Sequence, residues 1–486
     1  MDVIEAIARR TAEYPDKIVH ISGDRSLTYK ELAMKADALA AHLVQRYPGD
    51  KSPVAIIGHK EPEMLIGFLG AVKSGHPYVP IDSSVPVHRA NRIVESSGAI
   101  AALTPDRITE ISNGVSPSAG VLLDQDGPFY IIYTSGSTGD PKGVIITLRC
   151  LAAFLDWMLE EQGLGQAREV FLNQAPFSFD LSVMDLYLSL VTGGTLFSIS
   201  NQQVANPKRL YSALVRSGIT TWVSTPTFAR MCLAERGFAQ TMLPQIRRFL
   251  FCGETLTPET ASQLLDLFPN AAVWNTYGPT EATVACTSLQ ITREVLARYA
   301  PLPVGKPMNV ATISIMNADG RPVQRGERGE IVITGPNVSP GYLGQPELTN
   351  LTFSGNAGRR KYRTGDWGRI RDGLLFFEGR MDDQVKVNGY RIELGDLEEN
   401  LRALPAVADA VALPIFRNGV AESITAFVIP IERGNQSDFD LSVLLKRELS
   451  ERIPSYMLPG RIVFYDVFPL TANGKADRKK LAALLG

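Results

Sequence analysis

A large α/β domain followed by a small α+β domain is what the 486-residue sequence predicts. Three observations carry that reading. Short apolar, partly β-branched runs alternate with helical stretches through about the first 250 residues, the pattern of a mostly parallel, helix-covered sheet. From about residue 310 the texture changes to brief alternating segments punctuated by glycine, which read as a small β subdomain or barrel. Beyond Gly379 a charged stretch at 380–386 precedes a short unit of mixed helix and strand. At roughly 150 residues per domain the length suggests about three units. The domain boundary falls at about Asp382, giving a large N-terminal domain at 1–381 and a small C-terminal domain at 382–486.

In chain order, 26–32 leads into an Ala-rich helix that reaches about Leu43. Val54-Ala55-Ile56-Ile57 reads as a strand, Glu61 to Lys73 as a helix stopped by Gly75, and Tyr78-Val79-Pro80-Ile81 as another short strand. Tyr130-Ile131-Ile132-Tyr133 has the apolar character of a buried strand. The alternation continues with a helix at 151–161 and strands at 220–224 and 249–252. Within the β-rich stretch, 329–335 is the clearest strand. The C-terminal unit offers helices at 396–404 and 441–452, with strands at 410–413 and 423–429.

Composition removes several function classes. The 49 Lys and Arg against 51 Asp and Glu give a net charge of −2, which leaves no field to attract nucleic acid or an anionic membrane. The first 17 residues carry acids at positions 2 and 5 and no continuous apolar core, so no signal peptide is expected. The longest apolar near-miss to a membrane span, Met64 to Val72, is ended by Lys73. Cysteines 150, 232, 252 and 286 show no C-x-x-C spacing, which argues against a disulfide framework or zinc site and fits a reducing cytoplasm. All five histidines fall within the first 88 residues, which disfavours a Ser-His-Asp hydrolase or a His-ligated metal enzyme.

Four motifs carry chemistry. The strand at 130–133 runs into Thr134-Ser135-Gly136-Ser137-Thr138-Gly139, followed by Pro141 and Lys142. Glycines let the backbone approach a ligand closely, and hydroxyls with free N–H groups form an anion-binding concavity. This is a phosphate loop but not a Walker A loop, since Lys142 is flanked by Pro141 and Gly143. The bland alternative is a flexible Gly/Ser surface loop. Asn275-Thr276-Tyr277-Gly278-Pro279-Thr280-Glu281 offers an aromatic face, an amide, a hydroxyl and a carboxylate, suited to adenine, phosphate and Mg²⁺, or else a Gly-Pro turn with an incidental acid. Tyr362-Arg363-Thr364-Gly365-Asp366 places a carboxylate where it could accept both ribose hydroxyls, or is a plain turn. Thr471-Ala472-Asn473-Gly474-Lys475 presents a lysine after an Asn-Gly turn, catalytic or merely solvated.

Taken together and in this order, these blocks resemble the acyl-adenylate-forming superfamily, specifically the amino-acid adenylation enzymes that charge carrier proteins. The likeness covers essentially the whole chain, adding 27–32, 67–82, 326–343, 379–391 and 454–459 to the four motifs. A finer likeness, to the branch that activates D-alanine, rests on Gly75-His76-Pro77-Tyr78, on 171–187 and on Phe251-Cys252-Gly253-Glu254. The resemblance implies two half-reactions, attack of a carboxylate on the α-phosphate of ATP and then displacement of AMP by a phosphopantetheine thiol. Neither step needs a protein nucleophile, so catalysis would rest on positioning and charge stabilisation.

Residue by residue, the resemblance implies that Thr134, Ser135, Gly136, Ser137, Thr138, Gly139 and Lys142 hold the β- and γ-phosphates. Asn275 and Tyr277 would meet adenine, with Thr276, Gly278 and Pro279 also in the ATP site, Thr280 would meet the α-phosphate, and Glu281 would bind Mg²⁺. Asp366, Gly379 and Arg380 would fix the ribose, and Lys475 would sit between the substrate carboxylate and the α-phosphate as the catalytic charge. Asp180 would pair with the α-ammonium of the amino acid, as an amino group in an apolar pocket requires, unless it only caps the following helix. Leu181, Met184, Leu250, Cys252, Thr276, Val284 and Ala285 would line an uncharged pocket, with Cys252 selecting for D-alanine or serving as a buried small hydrophobe. Asp382 matches a hinge position and Gly389 a pantetheine-channel glycine.

The implied cofactors are ATP and Mg²⁺, and the implied partner is a D-alanyl carrier protein charged in trans, since no carrier or condensation motif accompanies the core. A cytoplasmic monomer serving teichoic-acid D-alanylation is expected, without nucleic acid or stable membrane insertion. The alternative is a free-standing enzyme loading another small neutral amino acid in secondary metabolism. A catalytically dead scaffold would show erosion at Lys142, Glu281, Asp366, Arg380 or Lys475, and all five are present.

Overall fold

The helix predicted after Leu27 runs Tyr29–Arg46, and its start shows how local chemistry sets an element boundary. The Thr28 side chain accepts from the Glu31 backbone N–H while Glu31 reaches back to the Thr28 N–H, a reciprocal capping box. The computed structural model describes every residue except 115–123, 137–140, 166–167, 418–419, 433–436, 470–475 and 485–486. The chain divides into two compact units. One comprises Met1–Ser83, Val94–Ile132 and Gly143–Met381, and the other Ser84–Ile93, Tyr133–Lys142 and Asp382–Gly486.

The first unit is organised on strands that alternate with helices. A nine-stranded sheet runs in the order Lys306–Pro307, Thr287–Ile291, Ala272–Tyr277, Arg248–Phe251, Thr221–Ser224, Val170–Asn173, Thr195–Ser198, Ile18–Ser22, Arg25–Thr28. Its six central strands, from Ala272–Tyr277 to Ile18–Ser22, pair in parallel, and the strands beyond them on both sides are antiparallel. Parallel strands need covering on both faces, which is why these segments read as continuous apolar runs. A six-stranded sheet is ordered Gly341–Tyr342, Lys142–Thr147, Pro128–Thr134, Tyr78–Asp82, Val54–Gly58, Ala101–Leu103. Every residue of helix Leu181–Thr192 is buried, so this helix is enclosed all round. Trp222 is fully buried against Phe228, Phe238 and Phe249 and anchors a second core under the nine-stranded sheet.

The Gly-punctuated stretch forms a five-stranded sheet of Thr312–Met316, Gly329–Gly335, Arg360–Arg371 and Phe353–Ser354, with Leu374–Arg380 paired on Arg360–Arg371. It is open rather than a barrel, because its path ends on a two-residue strand with nothing among the described residues paired to close it.

One polar network crosses the interior of this unit. Lys60 is 2% exposed, and its ammonium donates to the carbonyls of Asn173 (3.0 Å), Gln174 (2.6 Å) and Ile199 (2.8 Å). Burial lowers its pKa to about 7, opposed by the charges of Asp185 and Asp82. The Asn173 amide donates to Asp185 (3.0 Å) and its oxygen accepts from Ser198 (2.8 Å), whose hydroxyl lies 2.9 Å from His20 Nε2.

In the second unit, helix Leu394–Arg402 packs on strand Val407–Arg417, which pairs with Val420–Pro430 and through it with Arg461–Phe464. The Arg461–Phe464 strand was not anticipated. A hairpin of Gln384–Val387 and Tyr390–Glu393 turns on Asn388 and Gly389, both at positive φ, as a two-residue turn demands. Buried Arg89 pairs with buried Asp396 at 2.8 Å, a contact across 307 residues that no local pattern announces.

Candidate functional site

Three strands of the nine-stranded sheet end in residues that the motifs single out. Val170–Asn173 leads through 174–179 to Asp180, Arg248–Phe251 ends at Cys252, and Ala272–Tyr277 runs into Gly278–Glu281. Carboxyl ends of parallel strands are where open α/β sheets hold ligands, because the loops leaving them open a crevice.

Asp180 stands at the N-cap position of helix Leu181–Thr192, yet its side chain makes no capping bond. Its Oδ2 accepts instead from the Thr280 hydroxyl at 2.7 Å, so the two motifs meet and the capping alternative gives way. Cys252 is buried, with its Sγ donating toward the Val284 carbonyl at 3.5 Å. Val284 is buried as well.

Tyr277 donates its hydroxyl to Asp366 Oδ2 at 2.5 Å, while Arg380 Nη1 donates to Asp366 Oδ1 at 2.8 Å and to the Thr364 carbonyl at 2.8 Å. The antiparallel pairing of Arg360–Arg371 with Leu374–Arg380 sets Asp366 opposite Arg380, and Gly379 supplies the positive φ of 101° just before it. Burial first, and Asp366 second, push the Tyr277 phenol well above its usual pKa, so it remains a donor. The result is a carboxylate with both oxygens oriented, able to receive paired hydroxyls.

Asn275 and Thr276 are tied to backbone, the Asn275 amide donating to the Pro303 carbonyl (2.9 Å) and the Thr276 hydroxyl to the Phe251 carbonyl (2.8 Å). Glu281 is fully buried; Tyr342 donates to its Oε1 at 2.8 Å and the Ser339 N–H to its carbonyl at 2.9 Å. Among the described residues no group of three or more His, Cys, Asp or Glu is arranged to hold a metal. A cation at Glu281 would draw its other oxygens from a ligand, the usual habit of Mg²⁺ at a nucleotide.

In the second unit, Ser135 donates to the Arg391 carbonyl at 3.0 Å and accepts from the Glu393 N–H at 3.2 Å. Lys142 Nζ lies 4.0 Å from Glu393 Oε1. The Thr134 hydroxyl is buried with no hydrogen-bond partner among the described residues, as a group reserved for a ligand would be. Gly136 is buried beside Ser135, and Asp382 Oδ1 accepts from the Gln384 N–H at 3.2 Å. Ser137, Thr138, Gly139 and Lys475 lie outside the described residues.

Sequence reasoning missed Tyr342, which holds Glu281, and Phe377, whose ring centroid lies 5.9 Å from that of Tyr277. Both sit inside β-rich stretches where an aromatic reads as core.

Comparisons with known proteins give the family. A model described as AMP-binding enzyme matches residues 7–343, and one described as AMP-binding enzyme C-terminal domain matches 396–475. The chain belongs to the AMP-binding enzyme family. Among curated relatives of this AMP-binding enzyme, the D-alanine–D-alanyl carrier protein ligase of Bacillus mycoides (strain KBAB4) is 48% identical over 499 residues, covering 99% of both chains. The protein of the same name from Bacillus cereus (strain G9842) matches to the same extent. The fold is that of the Vibrio cholerae adenylation domain AlmE, solved in complex with glycyl-adenosine-5'-phosphate. That match has a TM-score of 0.85 at 22% identity and covers 100% of this chain and 97% of that chain. The chain is thus an enzyme, and its curated relatives are ligases by name.

Proposed function

We propose that this enzyme activates D-alanine with ATP and loads it onto the phosphopantetheine thiol of a D-alanyl carrier protein. In the first half-reaction a carboxylate oxygen of D-alanine bonds to the α-phosphorus and the bond to the bridging oxygen breaks, releasing pyrophosphate. In the second, the thiolate attacks the acyl carbon, the acyl–oxygen bond breaks, and AMP leaves with the bonding pair. The observation that carries the reading is the Asp180 carboxylate, held by Thr280, with the buried Cys252–Val284 contact as the apolar wall that this reading assigns. An ammonium needs that charge, and the small side chain of alanine needs the apolar wall. The name of the curated relatives supports D-alanine as substrate and a carrier protein as acceptor.

ATP would be held by Thr134 to Gly139 and Lys142 at the phosphates, by Asn275 to Thr280 at the base and α-phosphate, and by Asp366, Gly379 and Arg380 at the ribose. The Asp366 carboxylate, with Tyr277 and Arg380 already fixing both oxygens, suits a ribose diol. Glu281 would take Mg²⁺, which neutralises charge on the departing pyrophosphate when bound. Lys475 would stabilise charge at the α-phosphate in the first half-reaction only. Residues 1–381 would act as the core and 382–486 as the lid, pivoting at Asp382 between half-reactions. Four buried cysteines outside any disulfide suit a reducing, cytoplasmic setting, and among the described residues no helix is long and apolar enough to cross a membrane.

Amino-acid-dependent ATP–pyrophosphate exchange with D-alanine, L-alanine, glycine and L-serine in parallel tests the reading. The highest kcat/KM is expected with D-alanine. A higher value for another small amino acid would move the enzyme to a different carrier-loading pathway, and exchange with none would overturn the assignment.

A further inference from the structure

Two consecutive residues beside the amino-acid pocket, Thr283 and Val284, hold φ values of 57° and 70°. Left-handed backbone is tolerated by Asn or Asp, as at Asn388 and Asp372, but a β-branched residue there is a genuine outlier that persists only when its surroundings over-determine it. The turn that contains them doubles back tightly: Cys286 N–H bonds the Tyr277 carbonyl (2.8 Å), and a Cβ on Gly278 would sit 2.6 Å from Ala285 Cα.

The surroundings that hold the turn come from one strap, residues 337–342. Asn337 is fully buried; its side-chain amide donates to the Ala282 carbonyl at 2.9 Å, and its own carbonyl accepts from the Thr283 hydroxyl at 2.7 Å. Two residues on, the Ser339 N–H bonds the Glu281 carbonyl, and Tyr342 bonds the Glu281 carboxylate. The strap is itself pinned, since Ser339 Oγ donates to the Ile145 carbonyl (2.6 Å) and Cys150 Sγ to the Val338 carbonyl (3.3 Å). Four successive residues, Glu281 to Val284, are therefore fixed by the strap or by Cys252, which donates toward the Val284 carbonyl.

We propose that Asn337 is a positioning residue that clamps this strained turn, setting at once the pocket wall at Val284 and the aim of the Glu281 carboxylate. The role of the two clamped residues rests on the D-alanine reading; the clamp itself does not. Asn337→Ala removes the side-chain bond and leaves the buried Ala282 carbonyl without that donor. In the full-length enzyme the KM for D-alanine in pyrophosphate exchange should rise about tenfold, with kcat changed by less than about threefold, as loss of a positioning bond predicts. The Mg²⁺ concentration for half-maximal exchange should rise with it. A fall in Tm with both concentration dependences unmoved would make Asn337 merely structural and overturn the proposal.

Thr283→Gly removes the backbone penalty at the first of the two left-handed positions, together with the hydroxyl bond to the Asn337 carbonyl, while Val284 keeps its own penalty. In the Thr283→Gly/Asn337→Ala double variant the D-alanine KM should lie within about threefold of that of Thr283→Gly alone, because glycine enters the left-handed region without strain. A persisting tenfold rise would show that the strain is not what Asn337 restrains. Amide hydrogen exchange over residues 280–286, compared between wild type and Asn337→Ala, reads the clamp without any turnover. Faster exchange supports it and unchanged exchange overturns it, even for an enzyme that proved inactive toward D-alanine.

Discussion

Replacing Asp180 by Asn isolates the charge on which the proposed amino-acid recognition depends. The amide oxygen of Asn can still accept from Thr280, which now donates to Asp180 Oδ2 at 2.7 Å, so the local hydrogen bond survives while the negative charge does not. Two unit charges 4 Å apart interact by about 4 kcal/mol at an effective dielectric constant of about 20. Asp180 is only partly buried, and screening reduces that figure. Truncating one partner of a buried charge pair costs about 2–5 kcal/mol in measured complexes, and a value of about 3 kcal/mol corresponds to a roughly 150-fold rise in KM. The assay is ATP–pyrophosphate exchange with D-alanine titrated at saturating Mg·ATP, and then with ATP titrated at the highest attainable D-alanine. The KM for ATP should stay within about threefold, since the charge faces the amino acid. A D-alanine KM that moves less than about tenfold, or an ATP KM that climbs in parallel, would refute the pairing.

Three further outcomes follow from the same reading. Lys475→Ala should lower pyrophosphate exchange by roughly 10²–10³, the usual cost of one lost oxyanion-type donor, while thioester formation from preformed D-alanyl-adenylate continues; equal loss in both half-reactions would remove Lys475 from its role. Asp382→Pro should slow thioester formation more than adenylation if that residue is the pivot, and single-turnover measurement of each step distinguishes this from a uniform effect. His20 is fully buried, and burial, with repulsion from Lys60 and Arg25, lowers its pKa from 6.5 to about 3. Between those two values the unfolded chain binds a proton that the native state does not. Stability should therefore fall as pH drops below 6.5, by up to about 1.4 kcal/mol per pH unit. His20→Gln should flatten the slope of Tm against pH between 4 and 6, and an unchanged slope would place the acid sensitivity elsewhere.

What could be read in advance was whatever is encoded locally. The helix Pro62–Lys73, the strand Tyr78–Asp82 and the strand Pro128–Thr134 each carry their own apolar pattern and stop signals, and the structure moves their ends by a few residues at most. Thr280 and Asp366 stood out as a hydroxyl and a carboxylate within motifs, whereas Asp180 and Arg380 were singled out through the resemblance that those motifs carry. That Asp180 bonds Thr280, and Tyr277 bonds Asp366, was not legible, since these contacts span 100 and 89 residues. Asn337 was illegible for a further reason. Its work depends on a backbone angle at Thr283, and no residue type in the sequence announces a left-handed threonine. Lys60 would be placed at the surface by any rule of composition, and only three carbonyls at the ends of two different strands explain why it is not.

That lysine has an evolutionary consequence. Lys60, Asn173, Asp185, Ser198 and His20 are bound in series through the interior. Changing one of them alone strands a neighbour's donor or acceptor away from water, a larger cost than exchanging several at once for apolar groups of matching shape. Lineages of this enzyme should accordingly keep the set intact or replace it as a block. A drifting sequence would meet here a fitness barrier that single substitutions do not cross, although only Asn173 of the five borders the stretch 174–179 that leads to Asp180.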